Sequence, residues 1–250
     1  KLYMSGHNKW STIKRKKGAN DAKRSKMFSK IIKEITVAVK EGGADPDSNP
    51  RLRMAITNAK GVSMPKDNIT RAISKGKDKD SANFSEVSYE GYGPHGIAVF
   101  VDCTTDNTQR TISNVRSIFT KHNGSIGKNG SLAFLFDRKA VFSINEADVN
   151  PEEFELEVIE AGADEIDNDG EGTITVTTEF SDYGNMINKL AEMKIEPTSA
   201  EIVRIPKTTE KVSEEAARSV LKMIDILEDD DDVISVFHNM EVPEALLNEE

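Results

Sequence analysis

The chain of 250 residues is poor in the features on which several protein classes depend. It has one cysteine, Cys103, which excludes a disulfide framework and, with only four histidines, makes a structural zinc site not credible. No apolar run approaches the ~20 residues that a membrane helix needs. Cys103 ends the apolar run 97–103, so we expect a buried thiol rather than a nucleophile, in a protein of the reducing cytoplasm.

Sequence signatures of catalysis are also missing. Residues 91–96 match G-x-G-x-x-G, but residues 97–101 are typical of a strand, not of the helix that dinucleotide binding requires, so we interpret the motif as a hairpin turn. Residues 124–131 lack the spacing of a phosphate-binding loop, and a strand is predicted to follow at 131–136. The histidines show no metal-ligand spacing: His7, His95, His122 and His238.

We therefore expect no enzyme, no cofactor, no metal and no small-molecule substrate. The enzymatic alternative is a hydrolase that uses carboxylates of the acidic part of the chain, and no convergent set of residues supports it. The acidic run 228–232 is expected to form a solvated turn after a helix rather than a Mg²⁺ site.

The charge of the chain is divided unevenly along its length. Residues 1–80 carry 20 Lys and Arg against 8 Asp and Glu, and residues 81–250 carry 13 against 35. A cationic surface confined to one block is typical of a protein that binds a polyanion, because Lys and Arg displace the counterions condensed on phosphates. The acidic remainder would repel a polyanion, so we expect nucleic acid to engage one end of the molecule.

The most basic stretch surrounds the only tryptophan. Cations beside an aromatic ring suit phosphate contact combined with base or ribose stacking. For Trp10 itself, stacking and packing against the protein remain open alternatives, and the arm as a whole could also be merely solvated. The candidate nucleic-acid contacts are Lys9, Trp10, Lys14, Arg15, Lys16, Lys17, Lys23, Arg24, Lys26, Lys30 and Lys33.

The N-terminal block has the periodicity of three helices. Apolar residues and lysines occupy opposite arcs over 22–39, which predicts an amphipathic helix. A second helix is expected between the N-cap Asn49 and Gly61, because proline follows the cap and suits the first helical position. Pro65 begins a third, which ends near Gly76.

Beyond a linker near residues 76–83 the apolar period changes to two, and strands alternate with helices. Residues 138–205 follow the order β-α-β-β-α-β, which is the split ferredoxin-like order. The predicted fold class is α+β, with a three-helix basic domain (1–80), an α+β domain (84–137 plus 206–250) and a second α+β domain (138–205) inserted into it.

Several long motifs resemble those of the YebC/PmpR family of probable transcriptional regulators. They are residues 6–24, 34–43, 49–53, 64–69, 89–96, 105–107 and 130–138. The resemblance implies a three-domain, non-enzymatic cytoplasmic protein with no catalytic residue to carry over. The family is usually described as DNA-binding, whereas its mitochondrial relatives are translational activators and ribosome-linked roles are proposed for bacterial members. Its basic opening corresponds here to Lys9, Lys14, Arg15, Lys16, Lys17, Lys23 and Arg24.

We expect a regulatory nucleic-acid-binding protein, acting on transcription through contacts of its basic domain with the DNA backbone. The main alternative is a translational activator that binds ribosomal RNA, and the sequence does not choose between DNA and RNA. A second alternative is a protein-only adaptor, since the acidic α+β domains could bind a protein partner. The cations of the predicted first helix are almost all lysine, which predicts weak sequence preference. No membrane partner is expected.

Overall fold

The computed structural model describes residues 21–78 and 83–247. The predicted N-terminal arm lies outside these residues, and in the first helix the side chains are described from residue 24 onward. The statements below concern the described residues.

Three helices open the described chain: α1 (Asp21–Gly42), α2 (Pro50–Gly61) and α3 (Lys66–Lys77). All three were predicted and are confirmed. Asn49 joins the first two, because its Oδ1 accepts a hydrogen bond from the Leu52 amide at 3.0 Å while its Nδ2 donates to the carbonyls of Ala38 and Gly43 at 2.8 Å. A single buried cap therefore fixes both the end of α1 and the start of α2.

Ten strands and five further helices follow in the described part of the chain. The strands are β1 (Ser85–Tyr92), β2 (Ala98–Thr105), β3 (Ser125–Ile126), β4 (Phe136–Asn145), β5 (Ala163–Asn168), β6 (Thr173–Glu179), β7 (Ser199–Pro206), β8 (Glu210–Lys211), β9 (Val233–His238) and β10 (Met240–Glu241). The helices are α4 (Thr108–Lys121), α5 (Pro151–Glu160), α6 (Tyr183–Glu192), α7 (Glu214–Asp229) and α8 (Glu244–Leu247).

The first sheet has the order β3-β1-β2-β9, and its neighbouring strands are antiparallel. Alternate residues of β2 face α4 and α7, so Val99, Val101 and Cys103 share a core with Phe119 and Ile224 of those helices. Because β9 pairs with β2 after the whole of β4–β7 has intervened, the chain returns to complete this sheet. The short strands β8 and β10 pair in parallel.

The second sheet has the order β5-β6-β4-β7. Its elements run β4-α5-β5-β6-α6-β7, so the ferredoxin-like order predicted for 138–205 is confirmed. The core is formed where β4 meets the two helices, and it includes Phe142, Phe154, Val176, Met186 and Leu190. The predicted α+β fold class is confirmed.

One predicted strand is wrong. Residues 131–136 are not a strand, because 133–135 form a 3-10 turn before β4 begins. The reason is Glu90, whose buried carboxylate accepts hydrogen bonds from the amides of Gly130 at 2.7 Å and Leu132 at 2.5 Å. These amides are thus satisfied without a neighbouring strand. The hairpin interpretation of residues 91–96 is confirmed, with His95 in the left-handed region at φ 60°.

The described residues form two compact units. The first unit comprises 21–30, 83–137 and 204–247, and the second unit comprises 31–78 and 138–203. In the second unit, α2 contacts β7 through Asn58, whose side chain accepts from the Ala200 amide at 2.9 Å and donates to its carbonyl at 2.8 Å. The Tyr183 hydroxyl donates to the Pro50 carbonyl at 2.9 Å. The domain boundaries drawn from the sequence stay a prediction.

Candidate nucleic-acid interface

Most of the predicted contacts of the basic arm lie outside the described residues: Lys9, Trp10, Lys14, Arg15, Lys16 and Lys17. Lys23 lies in α1, and its side chain is also outside the description. The structure therefore bears directly on four of the predicted side chains, Arg24, Lys26, Lys30 and Lys33, which all lie on α1.

Arg24 is exposed near the start of α1. Its guanidinium carbon lies 5.6 Å from the centroid of the Phe28 ring, one turn further along the helix. Such a contact holds the guanidinium against an apolar surface while leaving its N–H groups open to an anion. Arg24 is thus placed where it can donate to a phosphate.

Lys26 and Lys30 have partners within the protein. The Lys26 ammonium donates to the Asp229 carbonyl at 3.1 Å and forms an ion pair with the Asp229 carboxylate. The Lys30 ammonium donates to the Glu228 carbonyl at 2.8 Å. These carbonyls end α7, where backbone acceptors lack helical partners and the helix dipole is negative. Both lysines therefore stabilise the carboxyl end of α7.

The Lys30 side chain is largely shielded from water and lies near several carboxylates. Burial lowers the pKa of Lys30, and the nearby carboxylates of Glu228, Asp230 and Asp231 oppose that shift. Lys33 is half-buried as well. The lysines of α1 are therefore not all available to a ligand, because Lys26 and Lys30 already bind groups of α7 and Lys33 is half-buried.

Sequence reasoning missed a second set of cations, on α3. Lys66, Arg71, Lys75 and Lys77 are exposed, and none has an ion-pair partner among residues 21–78 and 83–247. The spacing of apolar residues in the third helix could have indicated these cations from the sequence. Once Ile69 and Ala72 are assigned inward, these four positions must face outward.

The acidic run 228–232 is only partly the solvated turn that the sequence predicted. Asp232 is buried at 4% exposure, which corrects that expectation. Its Oδ2 accepts hydrogen bonds from Arg110 at 2.7 Å, Thr111 at 2.9 Å and Thr105 at 3.1 Å. Because these donors come from α4 and the end of β2, Asp232 has a structural role as the centre of a polar network.

The second unit contains an open cavity of about 380 Å³ between α5 and α6. Its charged lining is formed by Asp148, Glu153, Glu157, Glu192 and Lys189, and the last of these lies 2.8 Å from the Glu157 carboxylate. No serine, cysteine or histidine lines the cavity, so its lining contains neither a Ser–His nor a Cys–His pair of the kind used in nucleophilic catalysis.

The outer side of α5 carries two exposed apolar side chains. Leu156 is 68% exposed and Ile159 is 52% exposed, and the helix that carries them contains five glutamates among its ten residues. Side chains three positions apart lie on one helix face, so the two form a small apolar patch on an acidic helix.

Three further observations concern membrane helices, metal sites and the single thiol in the described part of the chain. None of its helices is both long enough and apolar enough to cross a membrane. No group of three or more His, Cys, Asp or Glu side chains in these residues is placed to bind a metal ion. Burial raises the pKa of the Cys103 thiol to about 12, as the sequence position of this residue suggested for an inert thiol.

Comparisons with known proteins cover nearly the whole chain. Residues 8–79 match the family model of the TACO1/YebC protein N-terminal domain, and residues 84–240 match the model of the TACO1/YebC second and third domain. The two models meet near the linker that composition predicts.

The chain is also similar to individual proteins. A probable transcriptional regulatory protein of Amoebophilus asiaticus is 53% identical over 95% of this chain and 98% of its own length. Another of that name from Treponema denticola is 48% identical over 97% and 98%. The crystal structure of a conserved hypothetical protein from Aquifex aeolicus superposes with a TM-score of 0.79 at 42% identity, covering 92% of this chain and 95% of that one.

Proposed function

Since the chain belongs to the TACO1/YebC family, we propose that it is a non-enzymatic, cytoplasmic regulator of transcription that binds DNA through its basic N-terminal segment. Two similar proteins carry the name probable transcriptional regulatory protein, which supports a regulatory role. The arm and the exposed part of α1 would contact backbone phosphates.

The uneven distribution of charge carries this proposal. Residues 1–80 hold 20 of the 33 Lys and Arg residues of the chain but only 8 of the 43 Asp and Glu residues. A neutral or basic ligand would gain little from such a surface, whereas each phosphate contacted releases condensed counterions. The acidic remainder keeps the polyanion at the basic segment by repulsion.

Binding should show little sequence preference. Three of the four α1 candidates with described side chains are lysines, and an ammonium group is a point charge that positions a protein on phosphate without reading base edges. Specificity in the cell would then come from protein partners, and the exposed Leu156 and Ile159 on acidic α5 provide a surface for one.

Fluorescence anisotropy with a labelled DNA duplex over a range of salt concentrations tests the proposal. Engagement of about five to eight phosphates predicts a log–log salt slope of about −4.5 to −7. Reversing Lys14, Arg15, Lys16 and Lys17 to glutamate should abolish binding with little change in Tm. The matched control reverses four exposed cations of the first unit, Arg116, Lys121, Lys128 and Lys222, and should bind almost normally. A slope near zero for the unmodified protein would contradict phosphate docking.

The lysine-rich character of α1 suits equally a second candidate function, association with ribosomal RNA in a translational activator. Lysine contacts to phosphate do not distinguish DNA from RNA. Sedimentation of a cell lysate through a sucrose gradient, with and without RNase, separates the two functions. Release from ribosomal particles by RNase would favour translation, and recovery only at the top of the gradient would favour DNA.

The non-enzymatic part of the proposal has its own test. The carboxylates of the cavity between α5 and α6 would repel a nucleotide's phosphates, and no group of three or more His, Cys, Asp or Glu side chains in the described residues is placed to bind a metal ion. We therefore expect that nucleotides and divalent cations do not stabilise the protein. Thermal-shift screening measures this directly. A large shift with one compound would reopen an enzymatic function.

A further inference from the structure

We infer that the outer face of α3 is a second phosphate-binding surface for nucleic acid, formed by Lys66, Arg71, Lys75 and Lys77. This inference rests on the proposed function and adds to it a site that the charge pattern of the arm does not indicate. The occupant is the sugar–phosphate backbone.

The four cations are arranged in two rows along the helix. At about 100° per residue, Lys66 and Lys77 lie within about 20° of each other, and Arg71 and Lys75 lie within about 40°. Thr70 and Ser74 fall between the rows and are exposed. The face therefore offers hydroxyl groups flanked on both sides by cations, with Asp67 as its single carboxylate.

The inner face fixes the direction in which these side chains point. Ile69, Ala72 and Gly76 of α3 are buried. A Cβ built on Gly76 would lie 2.7 Å from Val39 Cβ, so α3 approaches α1 closely at this point. A larger residue would not fit between the helices at this point, so α3 cannot turn about its axis to bring another face against α1. The four cations are therefore held on the opposite side, toward solvent.

What distinguishes this face from the lysines of α1 is the absence of competition. Lys26 and Lys30 already donate to the carboxyl end of α7, so a phosphate would have to replace existing contacts. The cations of α3 have no ion-pair partner among the described residues and would release only bound ions and water. Ordinary surfaces intersperse both signs of charge, whereas α3 presents four cations against one carboxylate in 12 residues.

Phosphate is the ligand that this chemistry fits best. Arginine donates two parallel hydrogen bonds to a phosphate, and lysines tolerate the variable spacing of a backbone. The helix is about 18 Å long by its rise per residue, so several consecutive phosphates are within reach of one face. Ser74 adds a neutral donor of the kind that contacts phosphates in nucleic-acid complexes, whereas the Thr70 hydroxyl already donates to the Lys66 carbonyl at 3.0 Å.

The test compares two full-length variants that lose the same charge. In the α3 variant, Lys66, Arg71, Lys75 and Lys77 are replaced by glutamine. In the control variant, Arg116, Lys121, Lys128 and Lys222 are replaced by glutamine, which likewise removes one arginine and three exposed lysines. Binding to a labelled DNA duplex and to an RNA duplex of the same sequence is measured by anisotropy over a range of salt concentrations.

The α3 variant should bind both duplexes more weakly, with a salt slope smaller in magnitude by about 3.6 for four lost contacts. The control should keep the slope of the unmodified protein. Equal weakening of both variants would mean that only net charge matters and would overturn the inference, as would normal binding by the α3 variant. Normal binding would also be the result if α3 served an acidic protein partner instead.

Two narrower variants guard against misfolding. Lys66→Gln with Lys77→Gln removes one row, and Arg71→Gln with Lys75→Gln removes the other, and each should lower the slope by about 1.8. If only one pair weakens binding, that row alone holds the backbone and the two-row site is wrong. If the unmodified protein binds neither duplex, the proposed function fails, which differs from a failure of α3 alone.

Discussion

The two units of the described chain use their charged residues differently. The first unit buries two carboxylates, Glu90 and Asp232, each with several hydrogen-bond donors. The second unit buries polar side chains as well, but these are Thr36, Asn49, Thr177 and Thr178, all of them neutral. Its ion pairs, such as that of Lys139 with Asp164, include partly exposed groups.

Buried charges of this protein have a structural role, whereas its exposed charges are available for binding. A buried carboxylate must keep its donors, because removing them leaves a desolvated charge. Exposed pairs contribute little to stability and can be exchanged for other partners. We therefore expect loss of a buried carboxylate to destabilise the first unit, and changes of exposed charge in either unit to alter binding more than stability.

Replacing Asp232 with alanine should have the largest effect. The change leaves Thr105, Thr111 and Arg110 without their common acceptor, and breaking such a network costs about 3–5 kcal/mol. Urea denaturation measures the loss in the free energy of unfolding. The control is Asp231→Ala at the exposed neighbouring position, which should cost less than about 1 kcal/mol. Similar costs for both changes would contradict a special role for the buried carboxylate.

The second largest effect is expected at alkaline pH, where the two units should lose stability at different pH values. The pKa of Cys103 in the first unit is about 12, and that of Tyr183 in the second unit is also about 12, both raised by burial. Each folded state holds its proton more tightly than the unfolded chain, so this stability is present at neutral pH and is lost as pH rises. The first unit should weaken from about pH 9 and the second from about pH 10.

Denaturation at pH 8 and pH 11 in the Cys103→Ser and Tyr183→Phe variants measures the two contributions separately. Each variant should lose less stability between these pH values than the unmodified protein does. A pH dependence unchanged by Cys103→Ser would show that this thiol ionises as easily in the folded protein as in the unfolded chain.

Asn49→Ala should destabilise the second unit by about 2 kcal/mol. The substitution removes the cap of α2 and leaves the carbonyls of Ala38 and Gly43 without the donor they share. Denaturation gives the cost, and the rate of thiol labelling at Cys103 gives its location. Because Cys103 lies in the first unit, we expect labelling to accelerate in Asp232→Ala and not in Asn49→Ala. Faster labelling in both variants would mean that the units open together.

The smallest effect is expected for Lys139→Met. Lys139 pairs with Asp164 at 2.9 Å and with Glu179, but both carboxylates are partly exposed, at 41% and 54%, so the loss should be below about 1 kcal/mol. Denaturation in low and high salt measures it. A loss in the free energy of unfolding larger than that of Asn49→Ala would contradict the view that exposed charges contribute little to stability.

Local signals in the sequence account for much of the fold. Asn49, Pro50 and Gly61 bound a helix because a cap, a fixed φ and a terminal glycine act within a few residues. The order of strands and helices in 138–205 follows from apolar period alone. The strand prediction at 131–136 was wrong because Glu90, 42 residues away, accepts the hydrogen bond of the Leu132 amide in that segment.

The candidate surface divides in the same way. The concentration of cations in residues 1–80 and the lysine arc of α1 can be read from the order and spacing of residues. That Lys30 donates to a carbonyl 198 residues away, while the cations of α3 have no ion-pair partner in the described chain, depends on tertiary packing. Helical periodicity assigns a side chain to a face, but packing brings the acceptors to that face.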